Sequence, residues 1–264
     1  MSTLAGRVYV LNTGHRPGAF NMQFDEQLVQ RFLSQEVQAL IGQGSVVLRL
    51  YGWTPFAISL GYHQREEEFD REKCRAAGID LVRRATGGRA VFHAEEVTYS
   101  IVMKATASNE THYREINEAL KAALHELGVQ SEFQRSTPDL RSRYALAEAV
   151  PCFTASAKYE LEVDGRKMIG SAQRRFGDVL LQHGSLLCSP RHKEMVQYLS
   201  ASSDRVRERL VQDLDQKTVS LSEVLGEVPA YETVCNAVRL GFEQTWKTPM
   251  LSLDPAVLGQ ALEV

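Results

Sequence analysis

Phe20, Phe24, Leu28 and Phe32 recur at every fourth position, and Val29 and Leu33 widen the stripe. That spacing predicts an amphipathic helix from Asn21 to about Ile41, which Gly42 and Gly44 then stop. Val46–Leu50 and Phe56–Leu60 read as strands around the turn-prone Gly52-Trp53-Thr54-Pro55. Glu66–Ala77 reads as a charged helix closed by Gly78. Ile79–Arg84, Ala90–His93 and Val97–Met103 read as strands around the break Thr86-Gly87-Gly88. Ile116, Leu120, Ala123, Leu124 and Leu127 make a helix ended by Gly128, and the Arg-rich stretch Gln134–Ala147 reads as a surface loop.

Further on, Tyr159–Val163 alternates as a strand, Asp164-Gly165 is a type I′ turn signal, and Arg166–Ala172 returns. Along that return, strict alternation puts Lys167 and Ile169 on one face and Arg166 and Met168 on the other. Val179–Leu181 is a further short strand. From Pro190 the pattern is helical, with Val234, Val238, Phe242 and Trp246 as its clearest stripe. Strands and helices that alternate irregularly around a dominant hairpin predict an α+β fold rather than a doubly wound parallel sheet. The expected division is a domain over 1–190 and a helical extension over 191–264 packed on it.

Composition narrows the function. The chain has 264 residues and a formal net charge of −3, which argues against a surface built for nucleic acid. No apolar run approaches the ~20 residues of a membrane span, and the first residues carry no secretory pattern, so a cytoplasmic protein is expected. None of the four cysteines lies in a C-x-x-C pair, and no histidine spacing suggests a metal site, so neither metal nor cofactor is expected.

Three segments carry candidate chemistry. In Arg83-Arg84-Ala85-Thr86-Gly87-Gly88-Arg89-Ala90-Val91-Phe92-His93, paired glycines let the backbone approach a ligand while arginines supply charge. A phosphate or carboxylate ligand fits it, and a tight turn with solvated arginines is the ordinary alternative. In the second segment, Gly170, Ser171 and Ala172 are small residues inside a strand that also carries Lys167, which suggests close approach of a ligand or another backbone. A surface lysine on a plain hairpin is the alternative there. The third is Cys152, between the polar loop and that hairpin. A thiol of pKa ~8.5 is only a few per cent thiolate at pH 7, and a neighbouring cation that lowered it to ~7 would raise this to about half, a shift of roughly 2 kcal/mol. A buried packing cysteine is the alternative, and Cys74, Cys188 and Cys235 are assigned to packing.

Together with Phe20–Glu26, Tyr51-Gly52-Trp53, Ser59-Leu60-Gly61-Tyr62, Glu96–Ser100 and Leu180–Leu187, these segments resemble the biotin/lipoate protein ligase family. Within it they are most similar to the cysteine-dependent octanoyltransferases of lipoate biosynthesis. The resemblance implies an α+β catalytic domain on a mixed β-sheet with flanking helices. It implies that Arg84, Gly87, Gly88, His93, Gly170, Ser171 and Ala172 line an acyl-substrate cleft, with Cys152 as nucleophile and Lys167 as its catalytic partner. The implied donor is octanoyl-acyl carrier protein. The implied acceptor is a lysine of the lipoyl domains of 2-oxoacid dehydrogenases or of the glycine cleavage H protein. Arg89 in place of a third glycine, Ala94 after His93 and a short C-terminal region favour this transferase branch. An ATP-dependent lipoate-protein ligase, an octanoyl or lipoyl amidotransferase, and a non-catalytic carrier-protein binding module are the alternatives.

Overall fold

The computed structural model describes residues 6–134, 159–200 and 204–258. The chain runs β1 (Val8–Arg16), α1 (Gly18–Leu33), α2 (Glu36–Ile41), β2 (Val46–Trp53), β3 (Ala57–Leu60), α3 (Arg71–Ala76), β4 (Asp80–Arg83), β5 (Val91–His93) and β6 (Glu96–Lys104). It continues α4 (Asn109–Glu126), β7 (Glu132–Phe133), β8 (Leu161–Val163), β9 (Arg166–Phe176) and β10 (Val179–Leu187). The last elements are α5 (Asp204–Lys217), α6 (Leu221–Leu225), α7 (Tyr231–Trp246) and β11 (Met250–Ser252).

Eight strands form one sheet in the order β11-β1-β2-β6-β10-β9-β8-β7, and β4-β3-β5 form a second, smaller sheet. β1 runs parallel to β2 and β11, while β2, β6, β10, β9, β8 and β7 pair antiparallel, so the large sheet is mixed. One of its faces is apolar: Tyr99, Ile101, Leu180 and Leu186 pack beneath α4 and α7. The other face meets α1, where Phe24, Leu28, Val29 and Phe32 lie on Val47, Val102 and Leu181. The α+β class expected from the alternation is the observed one.

The departures from the sequence pattern have local causes. The helix predicted to Ile41 breaks after Leu33, because Gln35 takes a left-handed conformation (φ 64°) while Ser34 Oγ donates to Glu36. Leu33, the last residue of α1, is exposed. The helix predicted over 66–77 splits at Asp70, whose carboxylate accepts from the backbone N–H groups of Glu72 and Lys73 and starts α3 afresh. β1 and β11 carry no strong alternation and escape the pattern altogether. Residues 191–258 contribute not only helices: β11 extends the large sheet beside β1, and α7 lies in the main core.

α4 and α7 cross where small residues meet. A Cβ on Gly241 would collide with the backbone at Ala119 and Ala123. Ala usually stabilises a helix by about 1 kcal/mol over Gly, but here the helices would have to part. Gly241→Ala is therefore expected to lower stability by roughly 1–3 kcal/mol, read as a lower urea midpoint at unchanged m.

Burial pushes the His192 imidazole down to about 4. It sits between Ser189 O (3.3 Å) and Thr218 Oγ1 (2.7 Å). The unfolded chain protonates this group near pH 6.5 and the folded chain does not, so stability is complete above that pH and lost as pH falls toward about 4. The loss is expected to be on the order of 3 kcal/mol, and His192→Gln should flatten that part of a stability-versus-pH curve.

Candidate active site

The face of the large sheet under α1 turns polar toward one end. Strand alternation aims Arg49, Tyr51 and Trp53 of β2, Glu96, Thr98 and Ser100 of β6, and His183 and Ser185 of β10 to this side. All of them are buried, so each must find partners within the protein. Arg49 donates to Asp25 Oδ1 (2.9 Å), Asn21 O (3.1 Å), Asn21 Oδ1 (2.6 Å) and Thr13 Oγ1 (3.0 Å). Asp25 also accepts from Tyr51 (3.1 Å) and Ser100 (2.8 Å), and its Oδ2 lies 3.4 Å from His183 Nδ1. Burial alone would raise the Asp25 carboxyl. The Arg49 guanidinium and the bonds from His183 and Ser100 outweigh it and hold the pKa below its ordinary value.

Next to this network a narrow slot, partly open to solvent, runs between the two sheets. Its apolar wall is Met22, Tyr51, Trp53 and Val91, and its floor is the backbone of Gly170–Ala172 and Gly184. Gly184 is required there: a Cβ would stand 2.6 Å from Gly170 O and 2.7 Å from Ser171 Oγ. Ser59, Arg84, His93, Thr98, His183 and Ser185 supply the polar lining.

Two carboxylate–imidazole–hydroxyl chains meet around the slot. In one, Asp25 faces His183 Nδ1 and His183 Nε2 lies 2.6 Å from Thr86 Oγ1. In the other, Glu96 Oε1 lies 2.8 Å from His93 Nδ1, and His93 Nε2 lies 2.7 Å from Ser59 Oγ. Burial holds the His183 imidazolium down despite Asp25.

The structure distributes the residues singled out in the sequence. Arg84, His93, Gly170, Ser171 and Ala172 line the slot. The Arg84 guanidinium donates to Ser59 O, Gly87 O and Arg89 O, so it shapes the glycine turn as well as lining the slot. Gly87 and Gly88 are exposed in that turn and are not among the lining residues. Gly88 has φ +94°, and its carbonyl lies so close to Gly61 that a side chain there would collide with it. Ser171 turns its hydroxyl to the helix-covered face, where it lies 2.6 Å from Tyr99 Oη.

Lys167 departs from simple alternation. Leu161 pairs with Ile169 but Glu162 pairs with Lys167, so Met168 is the extra residue of a β-bulge. Met168 and Ile169 both enter the helix-side core, and Lys167 is turned to the opposite face. There its buried Nζ lies 2.7 Å from Glu160 Oε1. Neighbouring Glu162 has its pKa raised, first by burial and then by the Glu160 charge. Cys152 lies outside the described residues.

Met22, Ser59, Glu96 and Glu160, together with the Asn21–Asp25–Arg49 group, were not singled out in the sequence as site residues. A signal for part of this existed: Glu96, Thr98 and Ser100 occupy every second position of an otherwise apolar strand.

The lipoyl protein ligase A/B catalytic domain family matches residues 17–243. The chain belongs to this family. It is 39% identical over 241 residues to octanoyltransferase LipM of Kyrpidia tusciae, covering 89% of this chain and 85% of that protein. It is 33% identical to octanoyltransferase LipM of Staphylococcus aureus, with coverages of 95% and 90%. Among solved structures, the bipartite lipoate protein ligase of Thermoplasma acidophilum superposes with a TM-score of 0.73 at 20% identity, covering 97% of this chain and 89% of that one. A lipoate-protein ligase A bound with ATP superposes at 0.70 and 21%, with coverages of 97% and 92%. The fold is thus shared with a lipoate-protein ligase A bound with ATP, while the proteins of higher sequence identity are named octanoyltransferases.

Within this family member Asp25 and Arg49 form a fully buried ion pair. Asp25→Ala would strand the buried guanidinium and is expected to cost about 3–5 kcal/mol in urea unfolding. Asp25→Leu combined with Arg49→Met should recover part of that loss.

Proposed function

We propose that the protein is an octanoyltransferase of lipoate biosynthesis, moving an octanoyl group from octanoyl-acyl carrier protein to a lysine of a lipoyl domain in the cytoplasm. The observation that carries this reading is the slot itself. Tyr51, Trp53, Met22 and Val91 wall a narrow apolar space over a floor with little side-chain bulk, which suits a straight saturated chain.

Cys152 is the nucleophile in this reading. Burial raises the pKa of all three other thiols, to about 12 for Cys188 and Cys235, which leaves them inert near neutral pH. The Cys152 thiolate attacks the donor thioester and expels the carrier thiol, and the acceptor amine then attacks the octanoyl-cysteine. Exchange of one thioester for another is nearly isoenergetic and amide formation is downhill, so no nucleotide is needed. The Lys167 ammonium stabilises the thiolate and the oxyanion of each tetrahedral intermediate. Its buried Nζ donates to Glu160 Oε1 at 2.7 Å. Arginines near the slot steer two partner proteins that are typically acidic. Among the described residues no helix is long and apolar enough to cross a membrane.

Incubation with octanoyl-acyl carrier protein, without nucleotide, should add one octanoyl group that hydroxylamine removes, as read by mass spectrometry. Cys152→Ala should abolish both adduct and transfer. Lys167→Ala should slow transfer by ~10²–10³ and move the alkylation of Cys152 to higher pH. Transfer that survives Cys152→Ala and strictly requires ATP would replace this reading with a ligase.

A further inference from the structure

One polar chain reaches the slot with its proton positions defined. A carboxylate only accepts, so Glu96 Oε1 at 2.8 Å places the ring proton of His93 on Nδ1. Nε2 then presents its lone pair to the Ser59 O–H at 2.7 Å. Arg84 Nη1 donates to the same hydroxyl oxygen at 3.2 Å, which leaves the serine proton directed at His93. Trp53 stacks on the imidazole at 3.9 Å and fixes its plane. Thr98 accepts from Trp53 Nε1 at 2.7 Å and donates to Glu96 Oε1 at 2.5 Å, which holds the carboxylate in place. Among the described residues Glu96 Oε2 has no hydrogen-bond partner.

We propose that Ser59, His93 and Glu96 form the proton relay for the amine half of the transfer, an assignment that rests on the octanoyl-cysteine reading above. The acceptor nitrogen adds to the thioester carbonyl as a free amine; the new C–N bond leaves it positively charged. It gives one N–H proton to Ser59 Oγ while Ser59 gives its own to His93 Nε2. The C–S bond breaks with its electron pair on the cysteine sulfur, and the amide remains. His93 ends the step as an imidazolium beside Glu96 and returns the proton to water when the product leaves. Exchange of one sulfur for another has no amine proton to remove, so the relay serves one half-reaction. The charged and titratable groups around His93 are Glu96 of β6, Arg84 beside Ser59 and His183 of β10, and Tyr51 and Cys188 lie in the field of Glu96.

The test separates the halves. Octanoyl-enzyme, formed with octanoyl-acyl carrier protein and freed of donor, is mixed with a lipoyl domain in single turnover from pH 6 to 9. Wild type, Ser59→Ala and His93→Asn are compared; Asn retains a donor near the Nδ1 position but offers no base. Discharge to the lipoyl domain should fall by ~10²–10³ near neutral pH in both variants and recover in part as pH rises. Self-acylation should fall by less than about tenfold. Hydroxylamine, which needs little base assistance, should discharge the variant acyl-enzymes at the wild-type rate. Equal losses in both halves, or loss of the hydroxylamine reaction, would show that the residues only support the slot. Unchanged discharge would also overturn the relay. A wild-type enzyme that never carries the adduct overturns the covalent reading itself, an outcome distinct from a normal adduct that reacts normally in the variants.

Discussion

A guanidinium with no exposed surface sits in the middle of a β-sheet, and the arrangement around the slot follows from satisfying it. Desolvating such a charge costs several kcal/mol, which is recovered only with close and complete partners. Arg49 finds them on α1, where Asn21 and Asp25 stand one helical turn apart, and at Thr13 of β1. Its flat face also lies over Tyr51 (3.9 Å) and Phe24 (4.2 Å). The helix, two strands and the ring that walls the slot are therefore fixed to one side chain. Asp25 extends the constraint through His183 to Thr86, and so to the turn that carries Gly87 and Gly88.

The two histidine chains are alike in chemistry and differ in what lies at their ends. His183 ends on a threonine in the base of the glycine turn, where a strong buried bond is a fastening. His93 ends on a serine that lines the slot, where the same bond is a route for a proton. Slot, relay and Lys167 all lie on the face of the sheet opposite α4 and α7. The face beneath α4 and α7 is largely apolar; the face beneath α1 combines an apolar core with a buried polar network that must be almost fully satisfied.

Much of this was legible in the residues. The β8–β9 hairpin follows from Asp164-Gly165, whose φ angles of 50° and 72° are those of a type I′ turn. The helix ends at Gly78 and Gly128 follow from glycines that take positive φ. Family motifs brought Arg84, His93 and Gly170–Ala172 to attention, and these five line one slot. The breaks at Gln35 and Asp70 were not legible, because one left-handed residue and one capping carboxylate override a continuous helical period. Nor was the burial of Arg49 or Glu96, since an isolated charge in a strand pattern reads as a solvent-facing position until its partner is known.

The sequence by itself determined most of the element types, the hairpin and helix-ending turns and the family, because these depend on neighbours a few positions apart. Only the tertiary structure decided which faces those residues occupy and which of them meet. Lys167 changes face because Met168 is an extra residue in one strand, and strand pairing has a period of two, so a single insertion reverses every position beyond it. Ser59 reaches His93 because β3 and β5 pair antiparallel, and Thr86 reaches His183 across 97 positions of chain. Such contacts depend on how separate elements dock, which no local pattern of apolar and polar residues encodes.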